Sequence, residues 1–494
     1  MIEYEIDAGA RGICSCSYGI SDSFSTIIPA ALQYERRMFY LPVKSVLYWC
    51  STCNIPLLGR TCGCGGEGKR IDLLKPYDVR PALKSDMALV GSLLEGQFGC
   101  HEIPALLLFN KSGGLDRNDL IIANGEKFGW LSFDPCTKQY RYDPSFEALP
   151  FLISRIREGV VDITDALLKE TKLQGKRIGG KRLRVKSDIP EGGVVIKAGD
   201  LWGVGQLKGG YVRIKQIGKV KPIDYPESGW DVAVARNVWH LKNIERTAVR
   251  FIKQQTKGKA CVNISYSGGK DSTAALELAR RAGVNTAYFV DTGMEFPETL
   301  EFVESQDIQI RIGGGDFWEK VKKIGPPRKD NRWCCEHLKL QPVKDWLRGK
   351  GECVTVQGNR WYESFARAGL PEVSRNPFNP SQLNISPIRN WRALEVFLYI
   401  WWRNLPYNPL YDMGLERVGC WMCPAMLESE FDHLAKLHPD LHKKWMKFLQ
   451  DWFGSEVNSK YLKCGMWRWE TLPSKMRELA SERKIRIPKS SKKT

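Results

Sequence analysis

Beyond Trp230 the chain alternates short apolar, β-branched runs with amphipathic stretches. ACVNISYS, NTAYFVDTG, IQIRIG and ECVTVQG read as strands, while DSTAALELARRAG and LQPVKDWLRG carry apolar residues at helical spacing. Parallel neighbours need a long crossover between them, so strands separated by helices predict an α/β fold with a covered parallel sheet. In such sheets ligands sit beyond the carboxyl ends of the strands. Between about Asp72 and Pro226 the texture is different: VVIKAG, LWGVGQL and YVRIKQIGKV are short β-type runs broken by Gly and Pro. They predict small β-rich modules, and no catalytic cluster appears among them.

A length of 494 residues suggests about three domains. With 17 Trp, 17 Tyr and 19 Phe the chain is too rich in aromatic core material for a disordered one. No apolar run approaches the roughly 18 residues that a membrane span requires. Lys plus Arg number 74 against 56 Asp plus Glu, a net charge of +18, which favours polyanionic partners such as nucleic acid or phosphorylated small molecules without choosing between them. The densest basic run, KETKLQGKRIGGKRLRVK over 169–186, suits either a solvated face or a phosphate-contacting patch.

The 15 cysteines carry more information. MIEYEIDAGARG is not a secretory leader, and a cytoplasmic location is expected, where closely spaced cysteines are metal ligands or catalytic thiols rather than disulfides. Cys50, Cys53, Cys62 and Cys64, two pairs joined by a Gly-containing loop, predict a closed structural zinc ribbon; unligated loop cysteines are the alternative. Cys14 and Cys16 form a C-x-C pair with no assigned role. Cys334-Cys335 and Cys420-x-x-Cys423 are two further closely spaced pairs, far apart in the chain.

Ser267-Gly268-Gly269-Lys270-Asp271-Ser272 follows a predicted strand and opens a predicted helix. Its backbone N–H groups can face phosphate oxygens, with Lys270 adding a point charge. The adjacent glycines separate it from the G-x-x-x-x-G-K-[ST] P-loop. It resembles the PP-loop of the adenine nucleotide α-hydrolases. VDTGMEFPET, WCCEHLKLQPVKDWL, QGNRWYESFARAG, ISPIRNW and LPYNPLYDMGLERVGCWMCP are similar, in order, to motifs of the phosphoadenosine phosphosulfate reductase family, over about Asn237 to Trp452.

That resemblance implies an adenine nucleotide bound by Ser267, Gly268, Gly269, Lys270, Asp271 and Ser272, with Asp291, Arg360 and Arg367 near it and Lys270 and Asp271 active in catalysis. It implies a 4Fe-4S cluster on Cys334, Cys335, Cys420 and Cys423, with Lys339 as the neighbouring cation; four thiolates suit a cubane, and a second zinc is the alternative. It also implies a C-terminal nucleophile, here Cys464 beside Lys463 and Arg468, although YLKCGMWRW keeps only the Cys-Gly of the family's segment; Cys353 is the alternative thiol. DVRPALKSD, FNKSGGLDRNDLIIANG and the Gly-rich segment 184–220 resemble the RNA-binding region of archaeal transglycosylase-type proteins with a PUA domain.

The expected division is a zinc ribbon segment (1–70), a β-rich PUA-like region (71–229), a PP-loop reductase-like domain (230–454) and a C-terminal Cys-Gly segment with basic tail (455–494). The first function implied is sulfonucleotide reduction, releasing sulfite from adenylylsulfate or its 3′-phosphate with a reductant such as thioredoxin or ferredoxin. The alternative is an ATP-dependent, tRNA-thiolating enzyme that adenylates a base, with Mg2+ accompanying the ATP. Both use the loop and the cluster.

Overall fold

In the computed structural model, residues 44–165 and 180–488 are described. Cys14, Cys16 and positions 169–179 of the basic run lie outside them. The ribbon is a small antiparallel sheet, β2 (Ile55–Leu57), β1 (Val46–Cys50) and β3 (Lys69–Asp72) in that order. Next comes a five-stranded antiparallel meander, β4 (Val79–Pro81), β5 (Leu108–Lys111), β6 (Asn118–Ala123), β7 (Glu126–Asp134) and β8 (Gln139–Pro144). It is backed by a helix, Lys84–Phe98, which the β-type reading of this region missed; Val90, Leu94 and Phe98 recur at helical spacing on its buried face. A second five-stranded sheet holds β9 (Val160–Asp162), β10 (Arg182–Arg184), β11 (Gly192–Ala198), β12 (Leu201–Lys208) and β13 (Tyr211–Lys219), ordered β10-β13-β12-β11-β9.

The 27-residue helix Trp230–Thr256 leads into the α/β part. There β14 (Cys261–Tyr266), β15 (Ala287–Asp291), β16 (Ile310–Gly313), β17 (Cys353–Val356), β18 (Val373–Asn376) and β19 (Asn379–Ile385) form one sheet, ordered β16-β15-β14-β17-β19-β18. All pairs are parallel except the edge pair β18–β19. The four strands expected from the apolar runs are β14 to β17. The sheet grows outward from β14 through β15 and β16 and resumes on its other side with β17, so the order reverses beside β14. The crevice at that reversal is where such a sheet binds ligands. Register across β14, β17 and β19 is locked by buried side chains: the Thr355 hydroxyl donates to Asn263 at 2.8 Å and accepts from Gln382 at 2.9 Å.

The described residues belong to one compact unit. Its main core takes Leu47, Trp49 and Leu57 from the ribbon together with Leu241, Ile264 and Val354. Asn237, buried on the long helix, accepts from the Leu58 N–H at 2.8 Å and donates to the Pro56 carbonyl at 3.0 Å. The expected boundary near residue 70 therefore falls inside a shared core. The helices after Pro439 pack Trp445, Leu449, Trp467 and Met476 into a second core with Phe296, Trp333 and Met422.

Candidate functional site

Within the PP-loop, Gly268 has φ +72°, the left-handed region, and a Cβ there would lie 3.0 Å from Thr299 Cγ2 and 3.2 Å from Val303 Cγ2. Gly269 caps the helix Lys270–Arg281 with extended backbone, φ −87°. The Ser272 hydroxyl donates to the Gly269 carbonyl at 2.8 Å. This leaves the positive end of the helix facing the crevice. The Lys270 N–H donates to Tyr411 Oη at 3.0 Å, and its ammonium lies 3.1 Å from Asp271.

Asp271 is gripped from behind: Arg360 Nε donates to it at 2.7 Å, while the Arg360 Nη atoms reach both oxygens of Asp78 at 3.0 and 3.2 Å. Burial opposes the Asp271 charge, but Arg360 and Lys270 outweigh it and hold the carboxyl below its ordinary range; Asp271 in turn helps hold Lys270 above its own. Gly358 permits this packing, since a Cβ there would sit 2.6 Å from the Asp271 carbonyl.

A cavity of about 810 Å³ opens over the loop. One wall holds Ser267, Gly269, Lys270, Asp271 and Ser272; another holds Cys334, Cys335, Cys420 and Cys423, with Arg332 and Lys339 beside them. Cys420 is held by a β-bridge to Glu295, and the Trp421 N–H donates to the Met294 carbonyl at 2.9 Å. Cys334-Cys335 ends one short helix and leads into a π-helical turn, Glu336–Leu340, an irregularity frequent at functional sites. Lys339 lies 3.8 Å from Glu295, and the negative charge of an ionised Cys420 sulfur and of that carboxylate raises its pKa.

The third wall comes from the meander. Asp78, Arg80, Lys111 and Asp119 line the cavity with Glu416 from the α/β part. Arg117, 5% exposed, binds Asp86 at 2.8 Å and Asp119 and Glu416 at 2.9 Å; Arg80 reaches Asp86 at 2.7 Å and Glu416 at 3.1 Å. Burial alone would raise the Glu416 carboxyl, yet Arg117 and Arg80 hold it down to about 2; Asp86 is lowered in the same way, while burial leaves Asp119 raised. Depressed carboxyls stabilise the fold above their ordinary pKa near 4, and that contribution disappears as pH falls toward about 2. As Asp86 and Glu416 lose their charge the urea midpoint should drop between about pH 4.5 and 2, with Asp119 opposing it. Arg117→Leu should cost about 3 kcal/mol at pH 7 and flatten that decline.

The other expected residues are placed as follows. Arg367 lines the cavity, paired with Glu363 at 3.2 Å and bonded to Asn359. Arg360 also lines it, but its four hydrogen bonds go to Asp271, Asp78 and the Trp391 carbonyl. It therefore orients Asp271 instead of standing free as a phosphate clamp. Asp291 ends β15 but pairs with Arg311 at 2.6 Å and accepts from the Gly293 N–H; it does not line the cavity.

Cys464 is not brought to the loop. It is 2% exposed in the second core, and its sulfur is bonded to Cys136. Its neighbour Gly465, φ +66°, packs against Glu428. Cys353 is bonded to Cys261 across β14 and β17. Neither offers a thiolate here, so the nucleophile expected at Cys464 or Cys353 is corrected: among the described residues, the only cysteines lining the cavity are the set of four.

In the ribbon, Cys50, Cys53, Cys62 and Cys64 have sulfurs all within 4.8 Å of one another, with Cys50–Cys64 at 3.7 Å and Cys53–Cys62 at 3.9 Å. A tetrahedral ion with bonds of about 2.3 Å needs edges of about 3.8 Å. Among the described residues no other group of ligating side chains is drawn so tightly.

A Ser-Gly-Gly loop between β14 and its helix, at the reversal point of a parallel sheet, defines a PP-loop nucleotide-binding domain. The family described as "Phosphoadenosine phosphosulfate reductase domain" matches residues 261–426, and this chain belongs to it. An uncharacterized protein of Methanocaldococcus jannaschii is 33% identical over 86% of this chain and 97% of its own length. The adenosine 5′-phosphosulfate reductase of Allochromatium vinosum is 29% identical over 37% of this chain and 75% of its own. The phosphoadenylyl-sulfate reductase structure from Candida auris, a phosphate complex, aligns over 37% of this chain and 95% of that one, at 20% identity and TM-score 0.30.

Proposed function

We propose that this protein is a sulfonucleotide reductase, taking adenylylsulfate or phosphoadenylylsulfate and releasing sulfite. The supporting observation is that the PP-loop and the cavity cysteines line one cavity. In the reaction the bond between the sulfuryl sulfur and the bridging oxygen breaks, the nucleotide leaves as its phosphate, and sulfur departs as sulfite. Two electrons come from an external protein reductant of the thioredoxin or ferredoxin class.

This chain's residues have separate tasks in that reading. The loop N–H groups, Lys270 and Ser272 hold phosphate, Asp271 fixes the Lys270 ammonium, and Lys339 and Arg332 offset negative charge where the sulfuryl oxygens arrive. Cys334, Cys335, Cys420 and Cys423 would hold a 4Fe-4S cluster: four soft thiolate donors with two cations beside them suit one. When bound, such a cluster supplies a one-electron redox centre at that wall. The ribbon cysteines would hold a structural zinc.

Protein purified without oxygen is assayed with adenylylsulfate, phosphoadenylylsulfate and ATP, each with and without tRNA. Sulfite from a sulfonucleotide is the expected product. Pyrophosphate formed only with ATP and tRNA, and no sulfite, would overturn the proposal in favour of base adenylation.

Metal content should divide between the two sets. Cys334→Ser should lose iron and keep zinc; Cys62→Ser should lose zinc and lower the melting temperature of the whole chain, because the ribbon shares its core with the α/β part. Metal analysis beside a melting curve checks both.

A further inference from the structure

The face of the second sheet opposite its core carries a row of opposed cations. Leu183, Leu207, Val212 and Ile214 are buried in a small core, so the alternate residues of β10, β12 and β13 point to the other face. Register sets Arg182 directly against Arg213, with Gln206 beyond, and sets Arg184 and Lys208 on either side of Tyr211. Like charges facing each other across strands are destabilising. Among the described residues, none of Arg182, Arg184, Lys208, Arg213 and Lys215 has an ion pair to offset this; Glu191, at the neighbouring turn, accepts from the Gly209 N–H. The face is concave: Arg182, Gln206, Lys208, Tyr211, Arg213 and Lys215 line a cleft of about 830 Å³, and Tyr211 is 46% exposed.

We propose that this cleft binds single-stranded nucleic acid. Cations in rows follow a phosphate backbone, and an exposed aromatic ring among them gives an unpaired base a surface to stack on, the combination that single-strand binders use. A duplex, whose bases are already stacked, gains nothing from Tyr211. The outer face of the helix Trp230–Thr256 is also basic, with Arg246 and Arg250 exposed, but those residues line neither this cleft nor the cavity over the PP-loop. The inference is independent of the reductase reading.

The test is fluorescence anisotropy of the full chain with a labelled single-stranded RNA of about 12 nucleotides, within the usual site sizes, across a salt series. Arg182→Gln combined with Arg213→Gln should weaken binding roughly tenfold and reduce the salt slope by about 1.4, two single-strand phosphate contacts. Its melting temperature should hold or rise, since the opposed charges are gone. Tyr211→Ala should weaken binding about tenfold with the slope unchanged. Arg246→Gln combined with Arg250→Gln, an equal change of charge elsewhere, should alter neither. Equal loss in both double variants, absence of binding by the unaltered protein, or equal affinity for duplex RNA or for phosphatidylserine vesicles would overturn the proposal.

Discussion

Gly268→Val should abolish nucleotide binding. The substitution combines two costs. A β-branched residue at φ +72° is strained by about 1–3 kcal/mol, and its Cβ presses on Thr299 and Val303, so the loop must move away from the conformation that aims its N–H groups into the cavity. Since about 1.4 kcal/mol is a tenfold change in affinity, the loss should exceed a hundredfold by calorimetry with adenylylsulfate. Gly269→Ala is the informative contrast. At φ −87° the new Cβ would lie 3.4 Å from Tyr411 Oη, ordinary contact, and binding should stay within a few-fold. Adjacent glycines in sequence suggest equal need, yet only the first has a backbone that requires glycine. Comparable losses in both variants would mean that the loop does not bind as described.

Asp78→Ala, although outside the α/β part, should lower both stability and nucleotide affinity. Asp78 accepts from both Nη atoms of Arg360 and from the Ala393 N–H at 2.8 Å; Arg360 is 2% exposed. Removing it leaves a buried guanidinium with one carboxylate and an amide with no partner, a cost of about 3 kcal/mol. Nucleotide affinity should fall as well, about tenfold, because Asp271 loses its fixed backing. Urea unfolding and calorimetry read the two effects separately. A stability change within about 0.5 kcal/mol, the range of ordinary surface substitutions, would show that Asp78 carries no such role.

These residues mark what the sequence made legible. β14 to β17, the loop and the ribbon foursome follow from local pattern and spacing, because a strand, a helix start or a metal knuckle is encoded within a few neighbouring residues, whereas the grouping of Cys334 and Cys335 with Cys420 and Cys423 comes from the family resemblance. Asp78 and Arg360 are 282 positions apart, and Arg80 meets Glu416 across 336. No periodicity reports a contact at that range, so a region expected to lack catalytic groups supplies a wall of the cavity. Cys464 misled for the opposite reason. Its basic neighbours promised an activated thiolate, but Arg468 is itself fully buried, donating to the Gly465 carbonyl at 3.0 Å and facing Asp116 at 3.5 Å, and the cysteine is packed with it. Exposure decides whether a thiol reacts, and exposure is a property of the fold.

In the proposed reading nucleotide and iron–sulfur cluster share the cavity lined by the PP-loop and the four cysteines, so the spectrum of the cluster should report the nucleotide. Protein purified without oxygen should carry four irons on the cavity cysteines, and adding saturating adenylylsulfate should shift its electron paramagnetic resonance signal after one-electron reduction. The same addition to Gly268→Val should leave the signal unchanged. A spectrum indifferent to adenylylsulfate in the unaltered protein, with the nucleotide shown by calorimetry to be bound, would contradict the account.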